Sequence, residues 1–270
     1  MGNAMTKLKY QFSIFKWVLV LAALAAVVGA DVLTARESPL KPDKTWAEIQ
    51  RRGAIYFGMD ATFMPFAGLD AAGKFAGIDA DVARELAQRL GRRAEFVQIG
   101  ADRLYETLDA GQCDALISAL TPDVTRLQGF RYTARYFDAG LVLVVPSTFR
   151  PDDLKGRTLA VEQGSEGDAH ARWLARRTLG LRVLERDTPD EALQAVETGQ
   201  ADATLTDTAT ARQTIARRPA LLMGPRQTSR DYVLAVRADS HELLRALDQA
   251  LAQLKADGTL DRILARWLDE

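Results

Sequence analysis

Two charged side chains stand where predicted strands end, and together they suit a zwitterionic ligand. The stretch "SALTPDVTR" (118–126) follows a short apolar run and ends on Arg126, while Asp207 follows the apolar stretch "ADATLT" (201–206). A guanidinium donates two parallel hydrogen bonds to a carboxylate, and an aspartate pairs with an ammonium group. Because ligands of open α/β sheets bind outside the carboxyl ends of the strands, Arg126 and Asp207 are predicted to face one bound molecule.

Aromatic and hydroxyl groups follow other predicted strands. "DATFMPF" brings Asp60, Phe63 and Phe66 after the first strand. The two phenylalanines could be core aromatics, but the proline between them favours a loop, where Phe63 could cover the aliphatic or cationic part of a ligand. Thr121 and Pro122 are typical of a helix start, whose free N–H groups would attract a carboxylate.

Each of these positions also has a simpler structural interpretation. Arg126 could be a solvated surface arginine. In "QGSEGD" (163–168), Asp168 could simply cap a helix, and Asp207 could cap the helix that begins at 208. The combination of a cation and an anion at two matching strand ends favours ligand binding over these separate interpretations.

Strands alternate with helices from Thr45 onward, which predicts βαβ units and mainly parallel sheets. Thr45 is predicted to cap the first helix through the capping box "TWAE", and Asp79 to cap a helix over 79–91. "LDAGQCDALIS" (108–118) and "VETGQADATLT" (196–206) share a helix end, Gly-Gln and Asp-Ala before an apolar strand. This internal similarity has two explanations. Two helix-to-strand turns could have converged on glycine and aspartate, which turns favour, or the chain could consist of two similar α/β lobes.

Two lobes imply two crossings of the chain. The apolar runs 141–145 and 231–237 are the predicted crossings. Lobe 1 is then expected to comprise 45–142 and 234–270, and lobe 2 to comprise 146–228.

The N-terminus has the layout of an export signal. Three lysines precede the 14-residue apolar run "WVLVLAALAAVVGA", which ends at Ala30. This run is short for a membrane span, so residues 1–30 are predicted to be a cleaved signal, with an uncleaved anchor as the alternative. Residues 31–44 contain two prolines and are predicted to be a disordered linker.

Composition excludes several classes of function. The 270 residues carry a net charge of −1, which does not suggest a nucleic-acid binder. Cys113 is the one cysteine, so there is no internal disulfide, and His170 and His241 lack ligand spacing. No metal or other cofactor is expected.

From Thr45 to the end, the chain resembles the family-3 bacterial extracellular solute-binding proteins, the amino-acid receptors of ABC importers. The stretches that carry the resemblance are "DATFMPFAGLDAAGKFAGIDADVARELAQRLG", "GQCDALISALTPDVTR", "FRYTARYF", "LKGRTLAVEQGS", "GQADATLTD" and "ALAQLKADGTLDRILARWL". The resemblance implies a type II periplasmic-binding-protein fold, with two mainly parallel sheets, two crossover strands and a ligand cleft between the lobes. It implies a monomer that captures a polar amino acid and hands it to an importer permease.

The resemblance also implies roles for individual residues. Arg126 corresponds to the carboxylate-binding arginine and Asp207 to the amine-binding acid of lobe 2. The other positions that match the family's ligand residues are Asp60, Phe63, Phe66, Ser118, Ala119 and Thr121. Lobe 2 departs from the family, since Ser165 and Glu166 replace the threonines of a frequent "GTT" and a common tryptophan falls at Ala101. Glu166 would repel a ligand carboxylate unless it points outward, or it would pair with a basic ligand side chain. Together with Ala101 it favours a basic or large polar amino acid.

Two other functions stay open. Some proteins that resemble this family are arogenate or prephenate dehydratases, which need a general acid in the cleft, and Glu166 is a candidate if it is buried. A membrane-tethered amino-acid sensor is the second alternative, and it requires that residues 1–30 are retained.

Overall fold

Strands and helices alternate along the chain in the order that the sequence predicts. The structure, a computed structural model, describes residues 43–149 and 154–269. The predicted export signal and residues 31–42 of the predicted linker lie outside the described residues. The linker prediction is wrong at its end, because the first helix begins at Lys44.

Helices and strands of the described residues have the following bounds. The helices are α1 (Lys44–Arg52), α2 (Ile78–Arg89), α3 (Leu104–Asp109), α4 (Glu166–Ala175), α5 (Pro189–Glu197), α6 (Thr208–Ile215), α7 (His241–Ala256) and α8 (Thr259–Leu268). The first strands are β1 (Ala54–Met59), β2 (Gly68–Leu69), β3 (Phe75–Ala76), β4 (Arg93–Gln98), β5 (Ala115–Leu120), β6 (Phe130–Tyr132) and β7 (Phe137–Asp138). The remaining strands are β8 (Leu141–Pro146), β9 (Thr158–Glu162), β10 (Arg182–Arg186), β11 (Ala203–Asp207), β12 (Leu221–Arg226) and β13 (Asp231–Arg237).

The first large sheet has the order β4-β1-β5-β13-β6, with β7 also paired to β13. β4, β1 and β5 are parallel, whereas β13 runs antiparallel to β5. Helices α2, α7 and α8 contribute one apolar layer against this sheet, for example through Leu86, Leu247 and Leu264. Leu104 and Leu108 of α3 cover the other face. We call this sheet and its helices lobe 1.

The second large sheet has the order β10-β9-β11-β8-β12. β10, β9 and β11 are parallel, and β8 is antiparallel to both β11 and β12. Leu193 and Val196 of α5 belong to the apolar layer on one face, and Ala171 of α4 to the layer on the other. This sheet and its helices form lobe 2. The two-lobed fold class is confirmed.

Two short connections join the lobes and touch each other. Gly140 lies in the first connection, and a Cβ there would come within 2.1 Å of the Thr228 carbonyl oxygen in the second. Asp138 binds the second connection by accepting hydrogen bonds from the Arg230 amide (3.0 Å) and the Ser229 hydroxyl (2.8 Å). Since β8 pairs within lobe 2 and β13 within lobe 1, the sheets change over just before Leu141 and just before Asp231. The exact limits of the two lobes stay a prediction.

Three predicted helix caps are wrong, each by a few residues. Asp43 caps α1, whereas Thr45 is buried and its hydroxyl bonds that of Ser240 at 2.7 Å. Gly77 precedes α2, so Asp79 lies inside the first turn. Ser165 caps α4 by accepting from the Asp168 amide at 3.1 Å. Tertiary contacts engage Thr45 and Asp79, whereas Ser165 caps α4 through a local bond.

Within residues 43–149 and 154–269, no helix combines the length and the apolar character that a membrane crossing requires.

Candidate functional site

A cleft opens where the strands of both lobes end. It consists of two cavities of about 560 and 330 Å³, which share Phe63, Arg230 and Tyr232 in their walls. The larger cavity lies against the ends of β1 and β5 in lobe 1. The smaller one is bounded by both lobes, with the start of α4 and the end of β11 on the lobe 2 side. Residues from the two large sheets therefore face the same cleft.

The lobe 1 wall of the cleft is formed by residues at and just after the ends of β1 and β5. Asp60, Ser118, Ala119 and Thr121 all line the larger cavity. The Asp60 amide donates to the Ser118 hydroxyl at 3.1 Å, which ties the two strand ends together. Ala101 also lines this cavity, at the position where the family often has a tryptophan. A small residue there widens the space available to a ligand side chain.

The backbone at Ala119 is unusual and has a buried support. Ala119 has φ of 47°, in the left-handed region that a non-glycine residue rarely adopts. Its amide donates to the Asp79 carboxylate at 2.7 Å, and the Tyr136 hydroxyl donates to the other carboxylate oxygen at 2.6 Å. Burial raises the pKa of Asp79 to about 6, although both hydrogen bonds act in the opposite direction.

The two phenylalanines that follow β1 lie in different environments, one in the cleft and one in the core. Phe63 is about half exposed (51%) in the cleft, while Phe66 is almost fully buried (2%). Their rings stack with centroids 5.8 Å apart, and Phe66 packs in turn on Phe137 and Tyr232. Phe66 is thus chiefly a core aromatic that supports Phe63, and Phe63 offers a ring face to the cleft.

Arg126 lies next to the cleft rather than among the described residues that line it. Its guanidinium stands over the Tyr105 ring at 4.5 Å, and its Nε donates to Asp123 at 2.9 Å. The predicted helix start at Thr121 is wrong. The chain instead forms a three-residue 3-10 turn, Val124–Arg126, which Asp123 caps by accepting from Thr125. The Arg126 amide donates to the Asp123 carbonyl oxygen at 3.1 Å.

The lobe 2 wall brings together Ser165, Glu166 and Asp207 on the smaller cavity. Asp207 caps α6, and its Oδ1 accepts from the amides of Ala209 (2.9 Å) and Thr210 (3.0 Å). The helix cap and a cavity-lining position therefore belong to the same residue. Gly167 lets α4 approach β11, since a Cβ there would lie 2.4 Å from the Leu205 carbonyl oxygen.

Arg230 is a cleft residue that the sequence did not reveal. It lies between β12 and β13 on the lobe 1 side, lines both cavities, and forms an ion pair with Glu166 of lobe 2. Its neighbours "QTSRDY" are polar and contain no strand-end pattern, so nothing local marked it. The pair joins the two lobes across the cleft.

Negative charge dominates the cleft. Among the described lining residues, the carboxylates are Asp60, Glu162, Glu166 and Asp207, and Arg230 is the single lysine or arginine. In the part of the chain that the structure describes, no group of three or more histidine, cysteine or acidic residues is placed to hold a metal ion. The cleft can therefore attract a cation by charge while presenting hydroxyl, backbone and aromatic surfaces to the rest of a small ligand.

A two-lobed α/β fold with a polar, partly aromatic cleft at its strand ends defines a protein that closes around a small solute. Residues 55–270 match the bacterial extracellular solute-binding proteins, family 3, and the chain belongs to that family. This confirms the resemblance carried by the sequence motifs.

Individual relatives cover most of the chain. The lysine/arginine/ornithine-binding periplasmic protein of Escherichia coli is 30% identical over 230 residues, which are 80% of this chain and 87% of that protein. Among solved structures, an ancestral cationic amino acid solute binding protein is 28% identical with a TM-score of 0.62, covering 83% of this chain and 99% of that one. An ancestral cyclohexadienyl dehydratase is 26% identical with a TM-score of 0.68, covering 83% and 95%.

Proposed function

We propose that this protein captures a basic amino acid, such as arginine or lysine, between its two lobes and delivers it to an ABC-type importer. Capture of an amino acid is the function of the curated relatives, whose names include a lysine/arginine/ornithine-binding protein. Hinge closure around the ligand is the usual way in which two-lobed proteins of this kind trap a solute.

The excess of carboxylates in the cleft is the observation that carries the choice of a basic ligand. Glu166 already has Arg230 as its counter-ion, which leaves Asp60, Glu162 and Asp207 as negative groups facing the cavities. Two of these charges can balance the α-ammonium and the side-chain cation of a basic amino acid. A neutral or acidic amino acid would leave more negative charge desolvated after closure, which is costly.

The residue roles belong to this proposal and are those that the family resemblance implies. Asp207 takes the α-ammonium, Arg126 takes the α-carboxylate together with the Thr121 hydroxyl, and Phe63 covers the aliphatic chain. Arg126 must leave its position over Tyr105 and approach the cavity when the ligand binds. Asp60 in the larger cavity and Glu162 in the smaller one are the carboxylates that remain for a cationic side chain.

A dehydratase remains the competing function, because an ancestral cyclohexadienyl dehydratase has a similar structure. The hypothesis that Glu166 is a general acid depended on its burial. In the structure its side chain is 45% exposed and ion-paired with Arg230. Because Glu166 is held in this ion pair and is not buried, the arrangement favours binding without chemistry.

A thermal-shift panel tests the proposal directly. The purified full-length chain is heated with each common amino acid and with arogenate and prephenate. A ligand at a hundredfold excess over its dissociation constant stabilises the native state by about 2.7 kcal/mol. We expect L-arginine or L-lysine to raise the melting temperature and L-glutamate to leave it unchanged. A shift with arogenate or prephenate, followed by formation of phenylalanine or phenylpyruvate, would replace the receptor by the enzyme.

The location and the partner belong to the same proposal. Export of the chain by residues 1–30 would place a monomer outside the cytoplasm, where the permease can receive its ligand. Mass analysis of the protein secreted by its host distinguishes the two fates of this segment. Loss of residues 1–30 supports a free receptor, whereas retention supports the tethered sensor.

A further inference from the structure

The end of β5 departs from the ladder that it forms with β13. Leu116 is paired with Ala235 and Leu120 with Val233, so three residues of β5, Ile117–Ala119, lie opposite the single residue Leu234. The Leu234 amide donates to the Thr133 hydroxyl at 3.0 Å, and its carbonyl oxygen accepts from the Thr133 amide at 3.0 Å. Strand irregularities of this kind re-aim side chains and are frequent beside functional sites.

The bulge removes the strand partner that the Ala119 amide would otherwise have. A buried N–H without an acceptor is costly, and the left-handed backbone adds a further cost for alanine. Asp79 supplies the missing acceptor from α2 at 2.7 Å, and its carboxylate is fully buried. One side of Ala119 is therefore fixed from the interior, while Ala119 and Ser118 line the cavity on the other side.

We infer that Asp79 is a positioning residue of the ligand cleft: its buried carboxylate holds Ala119 in the left-handed conformation and thereby sets the ligand-facing arrangement of Ser118 and Ala119. The inference deepens the proposed function and rests on it only for the ligand. It assigns no ligand contact to Asp79, which the cleft does not expose.

Tyr136 offers a matched control for a merely structural role. It is also buried (2% exposed) and donates to the carboxylate oxygen of Asp79 that Ala119 does not use. Tyr136→Phe removes that hydrogen bond and leaves the bond to Ala119 in place. Asp79→Ala removes both hydrogen bonds and Tyr136→Phe removes only one, and only loss of Asp79 frees the bulge.

The experiment compares Asp79→Ala, Tyr136→Phe, Ala119→Gly and the double variant Asp79→Ala/Ala119→Gly in the full-length chain. Calorimetric titration with L-arginine is done at a temperature where all four are folded. We expect Asp79→Ala to weaken binding about tenfold or more, because an unsatisfied amide lets the segment rearrange. Tyr136→Phe should stay within about threefold of wild type despite a lower melting temperature. Glycine adopts the left-handed conformation freely, so Ala119→Gly should recover most of the affinity lost in Asp79→Ala.

Equal loss of affinity in Asp79→Ala and Tyr136→Phe, or additive effects of Asp79→Ala and Ala119→Gly, would overturn the inference. If Asp79→Ala does not fold, Asp79→Asn takes its place in the same cycle, with a few-fold loss expected because a neutral acceptor is weaker. Additivity in that cycle would equally overturn the inference.

A second measurement does not depend on the ligand. Amide hydrogen exchange at Ala119 should be slow in wild type and fast in the Asp79 variant, while the amides of β1 stay protected. Failure of L-arginine to bind wild type would refute the proposed function alone. Unchanged protection of Ala119 in the Asp79 variant would refute the positioning role alone.

Discussion

Arg126 lies outside the described lining of the cleft and is proposed to reach the ligand α-carboxylate when the lobes close. Its present partners are Asp123 and the Tyr105 ring, and its side chain is 48% exposed. After closure, removal of one member of a desolvated charge pair costs about 3–5 kcal/mol, so Arg126→Ala is expected to lower the affinity for L-arginine by more than two decades. Calorimetric titration measures this loss.

Arg103→Ala is the matched control for that prediction, because Arg103 is an exposed arginine of the same lobe with a weak ion pair to Glu106. It should leave the affinity within about twofold of wild type, as surface pairs contribute little. An Arg126→Ala variant that still binds tightly would show that another group holds the α-carboxylate, and Arg230 would be the first candidate.

Glu166 and Arg230 should act on selectivity as a pair. Glu166→Gln leaves the Arg230 cation without its counter-ion inside the cleft, so affinity for L-arginine is expected to fall about three- to tenfold, a modest effect because the pair is partly exposed. Adding Arg230→Gln should restore most of it. Binding that falls further in the double variant than in Glu166→Gln would contradict this account. Titrations with L-arginine and L-glutamate at low and high salt provide the test.

At the residue scale, the sequence predicted most of the residues that line the candidate cleft, but not the ion pair between its two walls. The strand-end rule and the family motifs led to Asp60, Phe63, Ser118 and Asp207, which all line the cavities. Their roles toward a ligand stay predictions. Arg230 could not be found, because its partner Glu166 is 64 residues away and in the other lobe. Only the packing of the lobes brings the two together.

At the scale of elements, periodicity predicted the βα order well, because apolar strands and amphipathic helices carry their own local signal. The strand β12 was missed. Its sequence "LLMGPR" contains Gly224 and Pro225, which are typical of loops, and it lies at the edge of its sheet. Asp79 was taken for a helix cap because a sequence does not show that the same aspartate is fully buried and bonded to β5.

The buried carboxylate on α2 should make stability depend on pH. Burial raises the pKa of Asp79 to about 6, so the folded state holds this proton more tightly than the unfolded state does. The contribution of Asp79 to stability is therefore greatest near pH 4 and declines as pH rises to about 6, by at most about 3 kcal/mol. Tyr136 and Tyr232, which face it, both have raised pKa values and stay neutral in this range.

Urea unfolding of wild type and Asp79→Asn between pH 4.5 and 7.5 measures this term as a difference. Other carboxylates titrate equally in both proteins, so their effects cancel. We expect the free energy of unfolding of wild type relative to Asp79→Asn to fall as pH rises. A difference that stays constant across this range would show that Asp79 does not titrate there.

At the scale of the whole molecule, Asp138 holds the two lobe connections together. Burial would raise its pKa, but hydrogen bonds from Arg230, Gly140 and Ser229 and the nearby Arg226 guanidinium outweigh burial and lower it. Asp138→Ala removes these three hydrogen bonds, two of them exposed, at a total cost of about 1–3 kcal/mol. We expect a melting temperature about 3–8 °C lower, and small-angle scattering from the ligand-free protein should indicate more widely separated lobes.

The Asp138 effect should also have a defined pH window. A lowered pKa stabilises the folded state above the unfolded value of about 4, so the difference between wild type and Asp138→Ala should shrink as pH falls below that value. Asp102→Ala, in the exposed 3-10 turn Ala101–Arg103, is the control and should change neither quantity. A melting temperature unaffected by Asp138→Ala would mean that Gly140 and Thr228 suffice to hold the connections.

The family and the function were within reach of the sequence because ordered motifs cover most of the chain. The side chains that form contacts between the lobes could not be predicted from the sequence. These contacts depend on how the two sheets face each other, and no single segment of the sequence determines that.

The order of strands in lobe 1 sets the order in which the molecule can become complete. β13 occupies an interior position between β5 and β6, yet it is the last strand to be synthesised, whereas all strands of lobe 2 lie within the continuous segment 141–226. A chain that emerges from its N-terminus can therefore finish lobe 2 while lobe 1 still exposes an open edge at β5. Unfinished edges of this kind invite mispairing with other chains. During synthesis or transport, β5 would be the strand that most needs protection by a chaperone. That need would last until the chain has emerged as far as Arg237, where β13 ends.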